Sequence, residues 1–303
     1  MGHAHAGHAH AHGPDHARAA SRRRLATVLA LTWVFLGVEV AAGVLAGSLA
    51  LLADAGHMLT DVAGLVLALA AMKFAERPPS PRRTYGYQRV EVLAAAANGV
   101  ALLGVSGYVL REAWLRLQNP QPVATLEVLA VASVGLVISV AGAVLLHSSS
   151  RSSLNLRGAY NEVLADAVSS VGVIAGALVM KATGWYWVDP AVAAAIALWI
   201  LPRTFQLLRE ALHVLLEGTP RDVDLVALRA AMEAVPGVRK VHDLHVWTLT
   251  SGIHALSAHA IVGDDIVHEE VLLALRTRVT AEFPISHLTV QLEQHCCGDH
   301  AHA

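Results

Sequence analysis

Charged residues are scarce in this chain of 303 residues. Asp, Glu, Lys and Arg make up 15% of it, whereas a soluble globular domain carries about 25%. Apolar residues take their place and account for 55%. The formal net charge is only −2, so no nucleic-acid partner is expected. Cysteine is nearly absent: Cys296 and Cys297 are adjacent, which does not suit a disulfide framework and leaves a metal-binding or redox role open.

The apolar residues are concentrated in six long segments, all before residue 205. A helix needs about 20 apolar residues to cross the hydrocarbon core of a bilayer, and each segment is close to that length. They cover about 25–46, 49–72, 90–110, 123–146, 159–180 and 185–201. We therefore predict an α-helical membrane protein with a domain of six transmembrane helices over residues 22–208, embedded in the lipid bilayer.

Basic residues are unevenly divided between the two ends of these segments. One set of ends carries Arg22, Arg23, Arg24, Arg77, Arg82, Arg83, Arg151, Arg157, Arg203 and Arg209. The other set has only Arg111, Arg116 and Lys181. Because Lys and Arg accumulate on the cytoplasmic side of a membrane, we predict a multi-pass protein of the cell membrane with both termini in the cytoplasm.

Both ends of the chain are rich in histidine. Residues 1–21 have too little apolar bulk to pack and are predicted to be a disordered cytoplasmic tail. Residues 295–303 form a second tail, in which His295, Cys296 and Cys297 offer soft and borderline metal ligands. These tails either capture metal at the cytoplasmic side of the membrane domain or act as a dispensable metal buffer.

Residues 209–294 have the pattern of a small α+β domain. Helical spacing of apolar residues in 222–235 and 266–283 alternates with strand-like segments at 241–250, 253–262 and 288–293. The predicted order is α-β-β-α-β with a three-stranded sheet. A sheet of this size gains stability by association with another surface.

Two of the apolar segments carry matched pairs of metal-ligating residues. His57 and Asp61 are four residues apart, as are Glu162 and Asp166, so on a helix each pair lies on one face with about 5–6 Å between its members. An ionisable group at bilayer depth costs about 2.5–3.5 kcal/mol, so a compensating partner is required. One nitrogen and three oxygens suit a four-coordinate zinc site.

A hydrogen-bond network that only fixes helix packing is the simpler alternative for any one of these residues. Two matched pairs in two separate segments favour the metal site instead. Other polar residues in the apolar segments either line an ion path or make packing hydrogen bonds. They are Glu39, Asp54, Asn98 and Ser169.

Four motifs resemble those of the cation diffusion facilitator family, and most closely those of its zinc-transporting and cobalt–zinc–cadmium resistance branch. They are residues 57–62 (HMLTDV), 82–87 (RRTYGY), 155–160 (NLRGAY) and 241–248 (VHDLHVWT). The resemblance implies a homodimeric metal/proton antiporter with six membrane helices and a metallochaperone-like cytoplasmic domain. It also implies a set of ligand positions. These are His57, Asp61, Glu162 and Asp166 for transport, and His242, His259 and Glu293 in the cytoplasmic domain, where ordinary surface residues of a sheet are the alternative.

Glu162 is a departure from the family pattern, because many zinc-selective members carry histidine there. A carboxylate adds charge and hardness, which favours oxygen-preferring metals somewhat. It also places three carboxylates around one ion, and clustered carboxylates do not all ionise cheaply. We therefore hypothesise that Glu162 holds a proton in the metal-free site and loses it when metal binds.

These observations predict a transporter rather than an enzyme. The expected activity is efflux of a divalent metal ion, zinc foremost and also cadmium or cobalt, in exchange for protons. Zinc is expected as the substrate and as a structural or regulatory ion, with no other cofactor. A membrane-anchored metal sensor or scaffold is the main alternative, while a channel needs a continuous polar pore and a metalloenzyme needs an open coordination position.

Overall fold

The computed structural model describes residues 13–75, 77–147, 154–250, 252–264 and 266–295. Six long helices come first and a small α+β domain follows, in the predicted order. The helices are α1 (Gly13–Ala46), α2 (Leu49–Ala75), α3 (Val90–Gln118), α4 (Thr125–His147), α5 (Leu154–Thr183) and α6 (Val188–Leu215). The α+β domain contains α7 (Leu225–Glu233), β1 (Val238–Thr250), β2 (Ile253–Val262), α8 (His268–Glu282) and β3 (Ile285–Glu293).

Two boundaries differ from the prediction. Helix α1 begins at Gly13, so residues 13–21 are helical rather than disordered. Their Ala and Arg residues favour helix. Residues 1–12 of the predicted tail lie outside the described residues.

Helix α6 continues through Pro202 to Leu215. Proline removes one backbone hydrogen bond, but the Leu-rich residues that follow it favour helix. The predicted domain boundary at 208/209 therefore falls inside α6.

Among the described residues, five helices are long and apolar enough to cross a membrane. They are Thr27–Ala46, Val90–Gln118, Thr125–His147, Ala159–Thr183 and Val188–Leu215. Helix α2, which the sequence predicts as a further span, is not one of these five, and it carries two of the predicted metal ligands.

The chain divides into two compact units, of which the first contains residues 13–63 and 101–203 of the described chain. Helix α4 packs against both α1 and α5. Small residues permit this packing: an added Cβ at Gly135 of α4 would lie 2.5 Å from the ring of Phe35. The core contains Leu49, Leu51 and Val128, each almost completely buried.

The first turn of α2 is fixed by a residue that is distant in sequence. The buried carboxylate of Asp189, at the start of α6, accepts hydrogen bonds from Ser48 Oγ at 2.6 Å and from the backbone NH of Leu49 at 2.6 Å. The NH of Ala50 also donates to it, at 3.4 Å. The free NH groups at a helix start need such acceptors. Asp189 therefore holds the beginning of α2 against α6.

The second unit contains residues 64–100 and 204–295 of the described chain, including the predicted three-stranded sheet. Strand β2 is central, antiparallel to β1 and parallel to β3. Leu228 and Met232 of α7 and Leu275 of α8 are fully buried in its core. The β1–β2 register shifts between His242 and His245, and Asp243 adopts a left-handed φ of 51° there, as expected at a β-bulge.

Candidate metal sites

The first unit brings His57 and Asp61 of α2 together with Glu162 of α5. One ligand atom from each of the three residues lies within 4.8 Å of the other two. His57 Nε2 is 3.2 Å from Asp61 Oδ2, which confirms that the spacing of four residues places both on one face. The spacing of these atoms suits a metal ion bound between them.

The surroundings of His57 also suit a metal-binding role. The side chain is 8% exposed, and its Nδ1 is buried without a hydrogen-bond partner in the described part of the chain. A buried polar atom without a partner costs about 1–3 kcal/mol. The next turn is braced by Thr60, whose hydroxyl donates to the His57 carbonyl at 2.7 Å. The imidazole is therefore buried, and one of its ring nitrogens has no partner in the described chain.

Asp166, the fourth predicted transport ligand, does not belong to this three-residue group among the described residues. It lies one helical turn beyond Glu162 on α5 and is 7% exposed. Its Oδ1 is buried without a hydrogen-bond partner in the described chain. Asp166 is therefore buried one turn from Glu162, and one of its carboxylate oxygens has no donor among the described residues.

Sequence reasoning missed Arg203 as a member of this site. Its guanidinium makes two hydrogen bonds to the Glu162 carboxylate, from Nη2 to Oε2 at 2.7 Å and from Nη1 to Oε1 at 3.3 Å. From the sequence, Arg203 contributes only to the charge bias that predicts the membrane orientation. One sequence signal does indicate a basic partner: three carboxylates beside one imidazole carry an excess of negative charge, which needs a counter-charge. With Arg203 in place, the proton hypothesised on Glu162 is not required to balance its charge.

The second unit brings together the three predicted ligands of the cytoplasmic domain. His242 and His259 are paired across β1 and β2, and Glu293 is paired with Ile261 across β2 and β3. Glu293 is 3.3 Å from His242 Nε2 and 2.7 Å from His259 Nδ1. One ligand atom of each residue lies within 4.8 Å of the other two. Because Glu293 is 6% exposed, the three form a partly buried pocket rather than a scattered surface set.

The carboxyl-terminal tail adds little to this arrangement in the described chain. His295 lies two residues beyond the end of β3 and is exposed. Cys296 and Cys297 lie outside the described residues, so their role as metal ligands stays a prediction.

Comparison with known proteins identifies the family. A model described as the cation efflux transmembrane domain matches residues 25–216, and one described as the cation efflux protein cytoplasmic domain matches residues 220–295. The chain belongs to the cation efflux family, also known as the cation diffusion facilitators. The resemblance seen in the four motifs is thereby confirmed.

Several curated relatives are similar over nearly their whole length. The metal cation efflux system protein CzcD of Cupriavidus metallidurans is 48% identical, covering 96% of this chain and 91% of the relative. The cadmium, cobalt and zinc/H(+)-K(+) antiporter of Bacillus subtilis is 37% identical, covering 93% and 92%. The zinc transporter ZitB of Escherichia coli is 38% identical, covering 100% and 96%. Among solved structures, the metal-bound C-terminal domain of the Cupriavidus CzcD transporter matches 23% of this chain and 99% of its own at 40% identity, with a TM-score of 0.23.

This cation efflux protein is therefore a multi-pass membrane transporter and not an enzyme. The two family models meet between residues 216 and 220. That junction follows directly after the end of α6 at Leu215.

Proposed function

We propose that this cation efflux protein exports divalent metal ions from the cytoplasm in exchange for protons, with zinc as the main substrate and cadmium and cobalt as further substrates. The proposal is carried by one observation: His57, Asp61 and Glu162, from two helices of an apolar unit, place ligand atoms within 4.8 Å of one another. The names of the Bacillus subtilis and Escherichia coli relatives support the choice of metals.

The donor chemistry fits these metals. An imidazole nitrogen with carboxylate oxygens is a ligand set that zinc accepts in tetrahedral geometry, and it also suits cobalt. The fourth position is proposed for Asp166, which is buried one turn from Glu162 with an unpaired oxygen.

Proton exchange follows from the ligands themselves. His57 must be neutral and the carboxylates ionised to bind a metal, so metal binding and protonation exclude each other at the same atoms. If the site opens alternately to the two sides, metal loads from the cytoplasm and protons displace it on the other side. The ion can shift this equilibrium only through different affinities for the two states.

We propose α2 as the sixth membrane span. It is 27 residues long, which at about 1.5 Å per residue gives about 40 Å and exceeds the bilayer core. Its ionisable residues do not argue against a span, because Asp54 and His57 are buried and Asp61 is close to His57. Six spans place both termini on one side, which the arginine distribution assigns to the cytoplasm, and we propose the cell membrane as the location.

The cytoplasmic domain is proposed to bind zinc at His242, His259 and Glu293 as a structural or regulatory ion. Three protein ligands leave one position of a tetrahedral site open, which the tail residues His295, Cys296 or Cys297 could fill. We further propose that this domain supports a homodimer, because a three-stranded sheet gains stability by association. Zinc binding there would favour the dimer through mass action.

Transport by the purified protein in proteoliposomes with an imposed pH gradient tests the main proposal. We expect zinc flux that depends on the gradient in the wild type and is lost in Asp61→Ala. Ser133→Ala is the matched control, since the Ser133 hydroxyl donates to the Leu129 carbonyl in its own helix. A wild type that binds zinc at Asp61 but carries none would establish the sensor or scaffold instead.

A further inference from the structure

An arginine-rich loop connects α2 to α3, and the proposed transport chemistry does not use it. Residues 77–89 contain four arginines and no aspartate or glutamate. Ser80 and Arg83 exchange backbone NH–carbonyl hydrogen bonds at 2.9 and 3.1 Å, and the NH of Gly86 donates to the Arg83 carbonyl at 2.9 Å. Gly86 has a left-handed φ of 70°, which favours glycine at this turn. The loop therefore presents its arginines from a defined, hydrogen-bonded turn.

The second unit contains a cleft of about 1120 Å³, lined by this loop and by the cytoplasmic domain. Ligand pockets measure about 300–1000 Å³, so the cleft is large enough for an organic ligand and far larger than a metal ion needs. Its charged lining residues are four arginines and two acids: Arg82, Arg83, Arg89, Arg229, Glu217 and Asp243. The excess of positive charge favours an anionic ligand.

Both acidic residues of the cleft already contact basic side chains. Glu217 Oε1 is 2.9 Å from Arg89 Nη2, and Asp243 Oδ1 is 2.9 Å from His245 Nε2. Neither contact involves the three other arginines of the cleft. An anion that enters the cleft would therefore meet the charge of those three guanidinium groups.

Two of these guanidinium groups are oriented by contacts that leave most of their donors available. The guanidinium carbon of Arg83 lies 4.3 Å from the centre of the Tyr87 ring, a stacked contact that does not use the N–H edge. Arg229 Nη1 donates to the Val241 carbonyl at 2.9 Å, which uses one of the five N–H donors of a guanidinium. Forked donors of this kind match the oxygens of a phosphate group.

The position of the loop in the chain indicates where such a phosphate comes from. The loop ends directly before α3, whose residues 90–118 are long and apolar enough to cross a membrane. Clusters of basic residues immediately cytoplasmic of a membrane helix are typical of binding to anionic lipids. Tyr and Trp concentrate at the headgroup level of a bilayer, and Tyr85, Tyr87 and Trp247 line the same cleft. A phospholipid headgroup is both anionic and always present at that level.

We propose that this cleft binds the phosphate of an anionic phospholipid from the cytoplasmic leaflet, with Arg82, Arg83 and Arg229 as its donors. The headgroup enters the cleft beside the aromatic rings, while the acyl chains remain in the bilayer. The inference rests on the membrane orientation proposed above, and it is independent of which metal ion is transported.

Amide hydrogen exchange of the full-length protein in lipid nanodiscs tests the site. One set of nanodiscs contains phosphatidylcholine alone, and the other contains phosphatidylcholine and phosphatidylglycerol in equal parts. We expect phosphatidylglycerol to slow exchange in residues 77–89 and 244–247 of the wild type but not of Arg82→Gln/Arg83→Gln. The matched control is Arg239→Gln/Arg276→Gln, which removes the same charge from exposed positions outside the cleft and should keep the protection. Equal exchange of the wild type in both nanodiscs would overturn the proposal.

Native mass spectrometry of the detergent-solubilised protein, titrated with phosphatidylglycerol, measures the affinity. We expect Arg82→Gln/Arg83→Gln to bind phosphatidylglycerol about 10-fold or more weakly than the control variant does, and equal affinity would exclude these arginines as donors. Inorganic phosphate added to the phosphatidylcholine nanodiscs distinguishes a lipid from a soluble phosphate: protection equal to that by phosphatidylglycerol would overturn the lipid assignment. Neither readout requires transport, so a failure of the export function would leave both unchanged.

Discussion

The guanidinium of Arg203 grips the carboxylate of Glu162 through two parallel hydrogen bonds, with Nη2–Oε2 at 2.7 Å and Nη1–Oε1 at 3.3 Å. Such a forked contact is the strong form of an arginine–carboxylate pair. Glu162 also belongs to the group that is spaced to hold a metal ion. A metal ion bound by Glu162 would share these oxygens with the guanidinium, so we expect the ion and Arg203 to compete for Glu162.

Removing the competitor should therefore tighten metal binding. In Arg203→Gln we expect the zinc affinity of the proposed transport site to rise about 2- to 5-fold, a modest gain because the Arg203 side chain is 65% exposed. Arg203→Lys keeps the charge but loses the forked geometry, so its zinc affinity should lie between those of the wild type and Arg203→Gln. Zinc-dependent flux measured over a range of cytoplasmic zinc concentrations reports the change as a lower half-saturation value. Arg209→Gln, an exposed arginine further along α6, is the control.

Affinity that is equal in Arg203→Gln and the wild type would mean that the guanidinium does not restrict Glu162 during metal loading. A loss of affinity would mean that Arg203 positions Glu162 for the metal instead of competing with it.

Helix periodicity and ligand spacing were enough to predict the element order and the convergence of His57, Asp61 and Glu162. The charge excess of the ligand set indicates a cationic partner, but local patterns do not single out Arg203. Its partner lies 41 residues away, and the sequence predicts that helix α6 ends at about residue 201. Glu293 was recognised only through the family resemblance, since its approach to His259 depends on the parallel pairing of β2 with β3. Long-range pairing is set by packing, which local patterns do not encode.

Asp189 provides a test of how the first turn of α2 is held. Asp189→Ala removes the acceptor for Ser48 and for the NH groups of Leu49 and Ala50. Loss of a helix cap costs about 0.5–2 kcal/mol, and the buried donors left without a partner add to that cost. We expect a lower thermal unfolding midpoint for the purified protein in detergent. Asp189→Asn retains one side-chain oxygen and should be affected less; equal midpoints for the wild type and Asp189→Ala would contradict the capping role.

The cytoplasmic site is tested by its local response to zinc. In the wild-type full-length protein we expect zinc to slow amide hydrogen exchange in β1, β2 and β3, because the ion would tie the three strands together. His259→Ala removes a ligand and should abolish that protection. His245→Ala is the matched control, as His245 is exposed on β1 and pairs with Asp243 at 2.9 Å rather than with Glu293. Protection that survives in His259→Ala would exclude this site.

Proton release on metal binding distinguishes two descriptions of Glu162. If Glu162 held a proton in the metal-free site, as the sequence suggested, Glu162→Gln would release about one proton fewer per bound ion. If Arg203 already balances an ionised Glu162, as the forked contact indicates, the wild type and Glu162→Gln should release equal numbers. Calorimetric zinc titrations of both proteins in buffers of different ionisation enthalpy measure this count. We expect equal release. A deficit of about one proton in Glu162→Gln would show that Glu162 is protonated in the metal-free site and that Arg203 does not keep it ionised.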